Sequence, residues 1–253
     1  MRVTVLGSSG GSPTRANPAS GYLVSSDETA IWLDAGTGTF MALADLVDPG
    51  TLSAVVISHI HVDHCSDLFG LYGYLAYGPS GTVPIRVFVP EGAAAHLAAF
   101  ARAGDDHAYH TVLDVVEVHA DDEVAVGDAT LRFGAAAHSV PGLVTRVDIG
   151  DGAFAYSGDT GPGSDLASVA AGADLLLCEA SIPGARDERS HPYHLTAQEA
   201  GAAAAAAGVG RLVLTHFATG VDPVTAVDEA RSEFAGTVDA ARPGKTFEIG
   251  ERR

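Results

Sequence analysis

Apolar residues along this chain come in short runs separated by polar breaks rich in glycine and proline, and two periods alternate. Runs rich in β-branched residues predict strands over 3–6, 21–24, 31–34 and 54–58. The first leads into a Gly/Ser/Pro loop over 7–18, and Gly36 and Gly38 break the third. Helices are predicted over 41–47, 68–77 and 93–103, the last from its alanine content, with a strand over 85–89 between the second and third. Strands over 112–119 and 130–134 follow, then a hairpin of 144–149 and 153–157 around Gly150-Asp151-Gly152. A helix over 165–171 precedes a buried strand over 174–178. Thr196-Ala197-Gln198-Glu199 is a capping-box pattern that opens a helix reaching 207. A strand over 211–215, a helix over 222–234 and short strands near Val238 and Phe247 complete the pattern. Strands and helices alternate, no Pro/Gly-rich linker divides the chain, and no sequence repeat stands out. One α/β domain over 1–253 is the economical expectation.

The composition narrows this picture. Of the 253 residues 47% are hydrophobic and 18% charged, enough apolar material for a sizeable core. The formal net charge is −18, and Lys245 is the single lysine beside thirteen arginines. Such a surface repels phosphate backbones, and the sole basic run is Arg252-Arg253, so strong nucleic-acid binding is not expected. A small anionic substrate stays open, because bound cations supply local positive charge that a residue count ignores. Cys65 and Cys178 form no disulfide framework, and the N-terminal run lacks the layout of a signal peptide, which together predict a cytoplasmic protein. No uncharged apolar run reaches the roughly 18 residues of a membrane span.

The chemistry concentrates in His59-Ile60-His61-Val62-Asp63-His64, directly after a predicted buried strand. On a loop, His59 and His61 can reach one metal while Asp63 and His64 reach another. Imidazole plus carboxylate suits Zn²⁺, and also Mn²⁺ or Fe²⁺. A solvated polar loop is the plain alternative, but it leaves the density of ligand types at a strand end unexplained. His138, Asp159 in Ser157-Gly158-Asp159-Thr160, and His216 in Leu214-Thr215-His216-Phe217 also stand at predicted strand ends. Parallel α/β sheets gather functional residues at such ends, so all these side chains fit one shared site.

With these residues in place, the chain resembles the metallo-β-lactamase superfamily, over essentially its whole length. The resemblance implies an αββα sandwich with two metals at one edge between the sheets. It implies His59, His61 and His138 on the first metal, Asp63, His64 and His216 on the second, and Asp159 bridging. Glu179 in Cys178-Glu179-Ala180-Ser181 and His194 before Leu195-Thr196-Ala197-Gln198-Glu199 resemble motifs of the ribonuclease Z-like phosphodiesterase branch. There the Glu orients the His, and the His donates to a phosphate oxygen or the leaving group, a role for which a carboxylate-steered imidazole is well suited. Helix-cap and strand-end roles are the plain alternative for these two. Members that process transfer RNA carry a long arm between the positions of His138 and Asp159, a span that is a plain hairpin here. The pattern is closer to compact bacterial members, some of which hydrolyse cyclic nucleotides.

The resulting expectation is a dinuclear hydrolase acting on a small phosphodiester such as 3′,5′-cyclic AMP, by attack of a metal-bridged hydroxide. Asp63 would also orient the nucleophile, and His194 and Glu179 would serve the leaving group. The alternatives are a ribonuclease Z-like RNA 3′-processing endonuclease, a lactone or thioester hydrolase of the same fold, and a noncatalytic metal- or nucleotide-binding descendant. The resemblance also suggests a homodimer. Cys65 is read as packing rather than as a reserve ligand. Leu68, Phe69, Leu71, Tyr72, Tyr74 and Tyr77 are read as helix core before the wall of a pocket or a subunit interface, and Tyr193 as an ordinary loop aromatic before one placed near substrate.

Overall fold

The structure is a computed structural model describing residues 1–78, 83–102, 107–188 and 190–250. Strands β1 (Arg2–Gly7), β2 (Gly21–Ser25) and β3 (Ala30–Leu33) lead to helix α1 (Thr39–Ala44) and strand β4 (Ala54–Val56). Helices α2 (Val62–Cys65) and α3 (Leu68–Tyr77) precede strand β5 (Ile85–Pro90), helices α4 (Ala93–Phe100) and α5 (His107–Val112), and strand β6 (Leu113–Val118). The second half runs β7 (Glu123–Val126), β8 (Ala129–Ala135), β9 (Leu143–Ile149), β10 (Gly152–Tyr156), α6 (Leu166–Val169) and β11 (Leu175–Glu179). It ends with α7 (Ala197–Ala207), β12 (Arg211–Thr215), α8 (Pro223–Arg231), β13 (Thr237–Ala240) and β14 (Thr246–Glu248).

The strands make two seven-stranded sheets, ordered β14-β1-β2-β3-β4-β5-β6 and β13-β12-β11-β10-β9-β8-β7. In both, an antiparallel meander passes into parallel strands: β3 to β6 run parallel in the first and β10 to β13 in the second. The two halves therefore share a plan that no sequence repeat announces. Strand β14 crosses back to pair antiparallel with β1, which ties the end of the chain to the first sheet.

Both faces of the central strands are covered, which explains why they read as unbroken apolar runs. In β11, Leu175 and Leu177 enter the core between the sheets, while Leu176 and Cys178 meet the outer helices. In β3, Ile31 and Leu33 point inward and Trp32 outward toward α3 and its neighbours. The αββα expectation is met: α1, α3, α4 and α5 cover one sheet, α6, α7 and α8 the other. Leu68 and Leu71 of α3 are buried in that outer core as expected, with Leu75 beside them, and Phe69, Tyr72 and Tyr74 are half-buried against it, but Tyr77 at the end of the helix is exposed rather than core.

Helix α7 turns Ala197, Ala200, Gly201, Ala204 and Ala207 inward and leaves Ala202, Ala205 and Ala206 exposed. A Cβ on its Gly201 would come within 2.5 Å of the Ala230 carbonyl of α8. Its N-terminus holds the expected capping box: Glu199 N donates to Thr196 Oγ1 at 3.1 Å and Thr196 N donates to Glu199 Oε2 at 2.9 Å. Thr196→Ala should therefore lower stability by about 1 kcal/mol, read as a shift in the urea midpoint at unchanged slope.

Several expectations need correction, among them the helix expected over 41–47, which lies at Thr39–Ala44. Residues 62–65 form one helical turn rather than a loop. Residues 107–112 are helical, so the strand predicted from 112 begins at Leu113. Strand β7 was not anticipated, because Glu123-Val124-Ala125-Val126 is too short and too weakly apolar to register. The helices predicted over 165–171 and 222–234 are shorter, at Leu166–Val169 and Pro223–Arg231. Ala103, in the predicted 93–103 helix, and Arg252-Arg253 lie outside the described residues. Among the described residues, no helix is long and apolar enough to cross a membrane.

Candidate metal centre

Six of the chain's chemical side chains leave the sheets within a few residues of a strand's C-terminal end: Asp34 after β3, His59 after β4, His138 after β8, Asp159 after β10, Glu179 at the end of β11 and His216 after β12. The segment between β4 and α3 then supplies the rest. His61 is the N-cap of α2, and one helical turn carries Asp63 and His64. The turn forms at a cramped place. A Cβ on Gly36 would stand 2.1 Å from the Asp63 carbonyl oxygen and 2.6 Å from that of Ser20, so only glycine lets the backbones approach this closely.

Two sets of donor atoms converge. His59 Nε2 and His138 Nε2 each lie 3.1 Å from His61 Nδ1. On the other side, Asp63 Oδ2 lies 3.7 Å from His64 Nε2 and 3.4 Å from His216 Nε2. Asp159 stands between them: its carboxylate is 3.2 Å from His64 Nε2, 3.3 Å from His216 Nε2 and 3.7 Å from His59 Nε2. Ligands about 2.0–2.2 Å from a common tetrahedral cation lie about 3.3–3.6 Å apart, so these separations are those of coordination shells. All seven residues expected as ligands are thus brought together, in overlapping groups of three, and His194 joins Asp159 and His216 in a further such group.

The donor chemistry fits divalent cations. His64 Nε2 and Asp159 Oδ1 are fully buried and, although 3.2 Å apart, lack hydrogen-bond partners. Such orphans are costly in a closed interior and are ordinary where a cation completes them. The electrostatics agree. Burial opposes the Asp159 carboxylate, but His216 and His64 beside it hold its pKa well below the usual range. Burial likewise opposes charge on Asp63, and the hydrogen bond from His216 with the nearby His64 more than offsets it, so this carboxylate too is held ionised. Burial and the neighbouring His64 push the His59 pKa well down, keeping a lone pair free. His64 goes the other way: against burial, Asp159 and Asp34 raise its pKa well above the ordinary value.

An outer ring of partners fixes which nitrogen four of the histidines present, His61 instead turning its Nδ1 inward. His64 Nδ1 donates to Asp34 Oδ2 at 2.7 Å. Ser58 Oγ lies 3.1 Å from His59 Nδ1 and donates to the same Asp34 oxygen at 2.8 Å. Ser181 Oγ lies 2.7 Å from His216 Nδ1 and 2.7 Å from Glu179 Oε2. His138 Nδ1 donates to the Tyr193 carbonyl at 3.1 Å. With these Nδ1 atoms engaged, Nε2 is the atom left for a metal. Asp34 and His216 adopt φ values of +55° and +52°, a left-handed backbone that costs a non-glycine residue and clusters at functional sites.

His194 and Glu179 meet as a pair. His194 Nδ1 is 3.0 Å from Glu179 Oε1, and Glu179 is wholly buried, its Oε1 also accepting from Thr160 N at 2.7 Å. Burial lowers the affinity of His194 for a proton, but Glu179 and Asp159 prevail and raise its pKa. A cavity of about 760 Å³ opens over His61, Asp63, Asp159, His194 and His216, with Ile182, Pro183, Ala185 and Ala218 among its walls. Gly11 N closes one side by donating to Asp63 Oδ2 at 2.9 Å. Tyr193 stacks edge-on beside His138, with ring centroids 5.9 Å apart. Cys65 is buried in the outer core with Sγ toward the Ile60 carbonyl, so it packs rather than ligates.

Sequence reasoning missed Asp34, Ser58, Ser181 and Tyr156, whose OH donates to Asp34 Oδ2 at 2.7 Å. Asp34, before Ala35-Gly36-Thr37-Gly38, carried a signal in hindsight: a carboxylate that closes an apolar strand and faces a glycine-rich turn. The serines carried none.

A model of the beta-lactamase superfamily domain matches residues 29–217. The protein ML1173 of Mycobacterium leprae (strain TN) is 36% identical over 254 residues, covering 98% of this chain and 89% of that one. The probable metallo-hydrolase YhfI of Bacillus subtilis (strain 168) is 30% identical over 254 residues, 98% of this chain and 100% of its own. The crystal structure of YhfI superposes with a TM-score of 0.88 at 27% identity, over 98% of this chain and 99% of that one. A ribonuclease Z of Mycobacterium bovis (strain BCG / Pasteur 1173P2) is 29% identical over 284 residues, covering 100% of both. The chain therefore belongs to the β-lactamase superfamily, as a metal-dependent hydrolase of the metallo-β-lactamase fold on its ribonuclease Z-like branch.

Proposed function

We propose that this chain is a cytoplasmic dinuclear phosphodiesterase that cleaves a small phosphodiester, with 3′,5′-cyclic AMP the first candidate. His59, His61 and His138 would hold one cation and Asp63, His64 and His216 the other, with Asp159 serving both. The observation that carries the reading is the buried Glu179 carboxylate holding His194 beside the two donor sets. Two divalent cations, zinc first and manganese or iron next, would supply positive charge to a phosphoryl oxygen and acidify water at neutral pH.

The chain's own residues do the remainder. Glu179 accepts from His194 Nδ1 and favours the protonated ring, and in that form the Nε2–H is a donor for the cavity. From there His194 hydrogen-bonds a phosphoryl oxygen or gives a proton to the departing alkoxide. Asp63, steadied by Gly11 N, orients the attacking water. The cavity is of the size that takes a single nucleotide, and Ile182, Pro183, Ala185 and Ala218 give it an apolar wall for a flat base. Between His138 and Asp159 the chain makes the β9–β10 hairpin, paired residue by residue from Thr145–Tyr156 to Ile149–Gly152. This leaves no protruding arm for a folded RNA, and the net charge of −18 also disfavours one.

The test compares bis(p-nitrophenyl) phosphate and 3′,5′-cyclic AMP with a lactone, a thioester and a precursor transfer RNA, using metal-reconstituted protein. Turnover of the phosphodiesters is the expected result. Turnover of the lactone or thioester without phosphodiester cleavage would overturn the reading of Glu179 and His194 while leaving the metal centre intact. Cleavage of the RNA alone would move the chain to the reading that its ribonuclease Z relative favours. His194→Ala is expected to lower kcat by about 100-fold with metal content unchanged. A collapse of metal content would make His194 a ligand instead.

A further inference from the structure

His194 sits on a long connection between β11 and α7, tied across its base by Ile182 N donating to the Leu195 carbonyl at 3.0 Å. Such a segment does not hold a side chain to a fraction of an ångström unaided. Its own Arg186 folds back beneath it. The guanidinium meets both oxygens of Glu199, with Nε 2.5 Å from Oε1 and Nη2 2.8 Å from Oε2. The remaining N–H groups reach the loop: Nη1 donates to the His191 carbonyl at 3.1 Å and Nη2 to the His194 carbonyl at 2.5 Å. Glu199 is itself rigid, because its Oε2 completes the capping box of α7. A planar fork anchored on a helix terminus thus grips the backbone of His194 and of His191, while Arg186 stays out of the cavity wall.

We propose that Arg186 is a positioning residue for the reaction: clamped by Glu199, it sets the backbone of His194 so that the ring lies on Glu179 and faces the reacting group. The inference rests on the role proposed above for His194. Lysine cannot replace arginine here, since one ammonium cannot pair in a fork and bind two carbonyls.

The experiment is a double-mutant cycle on the metal-reconstituted enzyme, using Arg186→Ala, His194→Ala and the pair. Arg186→Ala should lower kcat by about 100-fold, the cost of an ångström of misplacement, with KM and metal content held. In the His194→Ala background the same substitution should cost nothing further, because Arg186 acts through that ring. Arg186→Lys should fall between wild type and Arg186→Ala. A second readout avoids turnover: amides over 190–196 should exchange roughly tenfold faster in Arg186→Ala, the weight of a lost charge-assisted hydrogen bond, and at the wild-type rate in His194→Ala. Equal losses in both backgrounds, or unchanged exchange, would overturn the proposal. If the wild type turns over esters but no phosphodiester, the function proposed above fails, while the cycle on that ester and the exchange rates still decide the role of Arg186.

Discussion

Replacing Asp159 by alanine should empty the metal centre and abolish hydrolysis in one step. This carboxylate lies against both donor sets, within 3.2 to 3.7 Å of His64, His216 and His59. No other carboxylate among the described residues bridges them, because Asp63 joins only the second set. In the proposed assignment its removal would take a ligand from each shell and would leave two cations to repel one another without an anion between them. Outer partners of a metal site typically cost about 10- to 100-fold in metal affinity, and a shared inner ligand should exceed that. Inductively coupled plasma mass spectrometry after dialysis should show fewer than one metal per chain, and phosphodiester turnover should fall to background. Two retained metals with undiminished turnover would sink the bridging role.

Asp34→Ala should be the most destabilising single change in the molecule. Asp34 is wholly buried and lies outside the two donor sets, yet its two oxygens accept from Ser58 N at 2.6 Å, Ser58 Oγ at 2.8 Å, Tyr156 OH at 2.7 Å and His64 Nδ1 at 2.7 Å. Alanine would strand four donors in a closed interior and leave His64 without the carboxylate behind it. Breaking a buried ionic pair from one side costs about 3–5 kcal/mol, and the left-handed φ of +55° adds to the strain, since alanine tolerates it less well than aspartate. Chemical denaturation of the metal-free protein should read this loss directly. Asp34→Asn should lie between, because it keeps the volume and one acceptor oxygen but turns an NH₂ toward donors. In the reconstituted protein, weaker metal retention should accompany the loss in both variants, since the His64 ring is no longer held.

The two experiments separate what the sequence makes plain from what it hides. The candidate metal-ligand inventory was legible because much of it is local. His59, His61, Asp63 and His64 crowd one strand end, and the sheets that deliver His138, Asp159 and His216 announce themselves as apolar runs. The capping box of α7 was legible for the same reason: Thr196 and Glu199 are three residues apart and satisfy one another. The turn of α2 was not, because a single helical turn of ligand residues has no apolar period to reveal it. Strand β7 was hidden by its length. The partial likeness of the two sheets stayed hidden because it resides in pairing directions, which many sequences satisfy.

The sequence by itself determined the α/β class and set the candidate metal ligands at strand ends, because these rest on short-range patterns of residue type, while the αββα sandwich and the Glu179–His194 pair were legible through its resemblance to the metallo-β-lactamase superfamily. Only the tertiary structure decided how those groups are held. Asp34 reaches His64 and Tyr156, Ser181 reaches His216, the Tyr193 carbonyl reaches His138, and Arg186 grips the loop of His194. Most of these contacts join residues tens of positions apart. They depend on which ring nitrogen or carboxylate oxygen faces which neighbour, and that orientation exists only once both sheets have closed around the core between them.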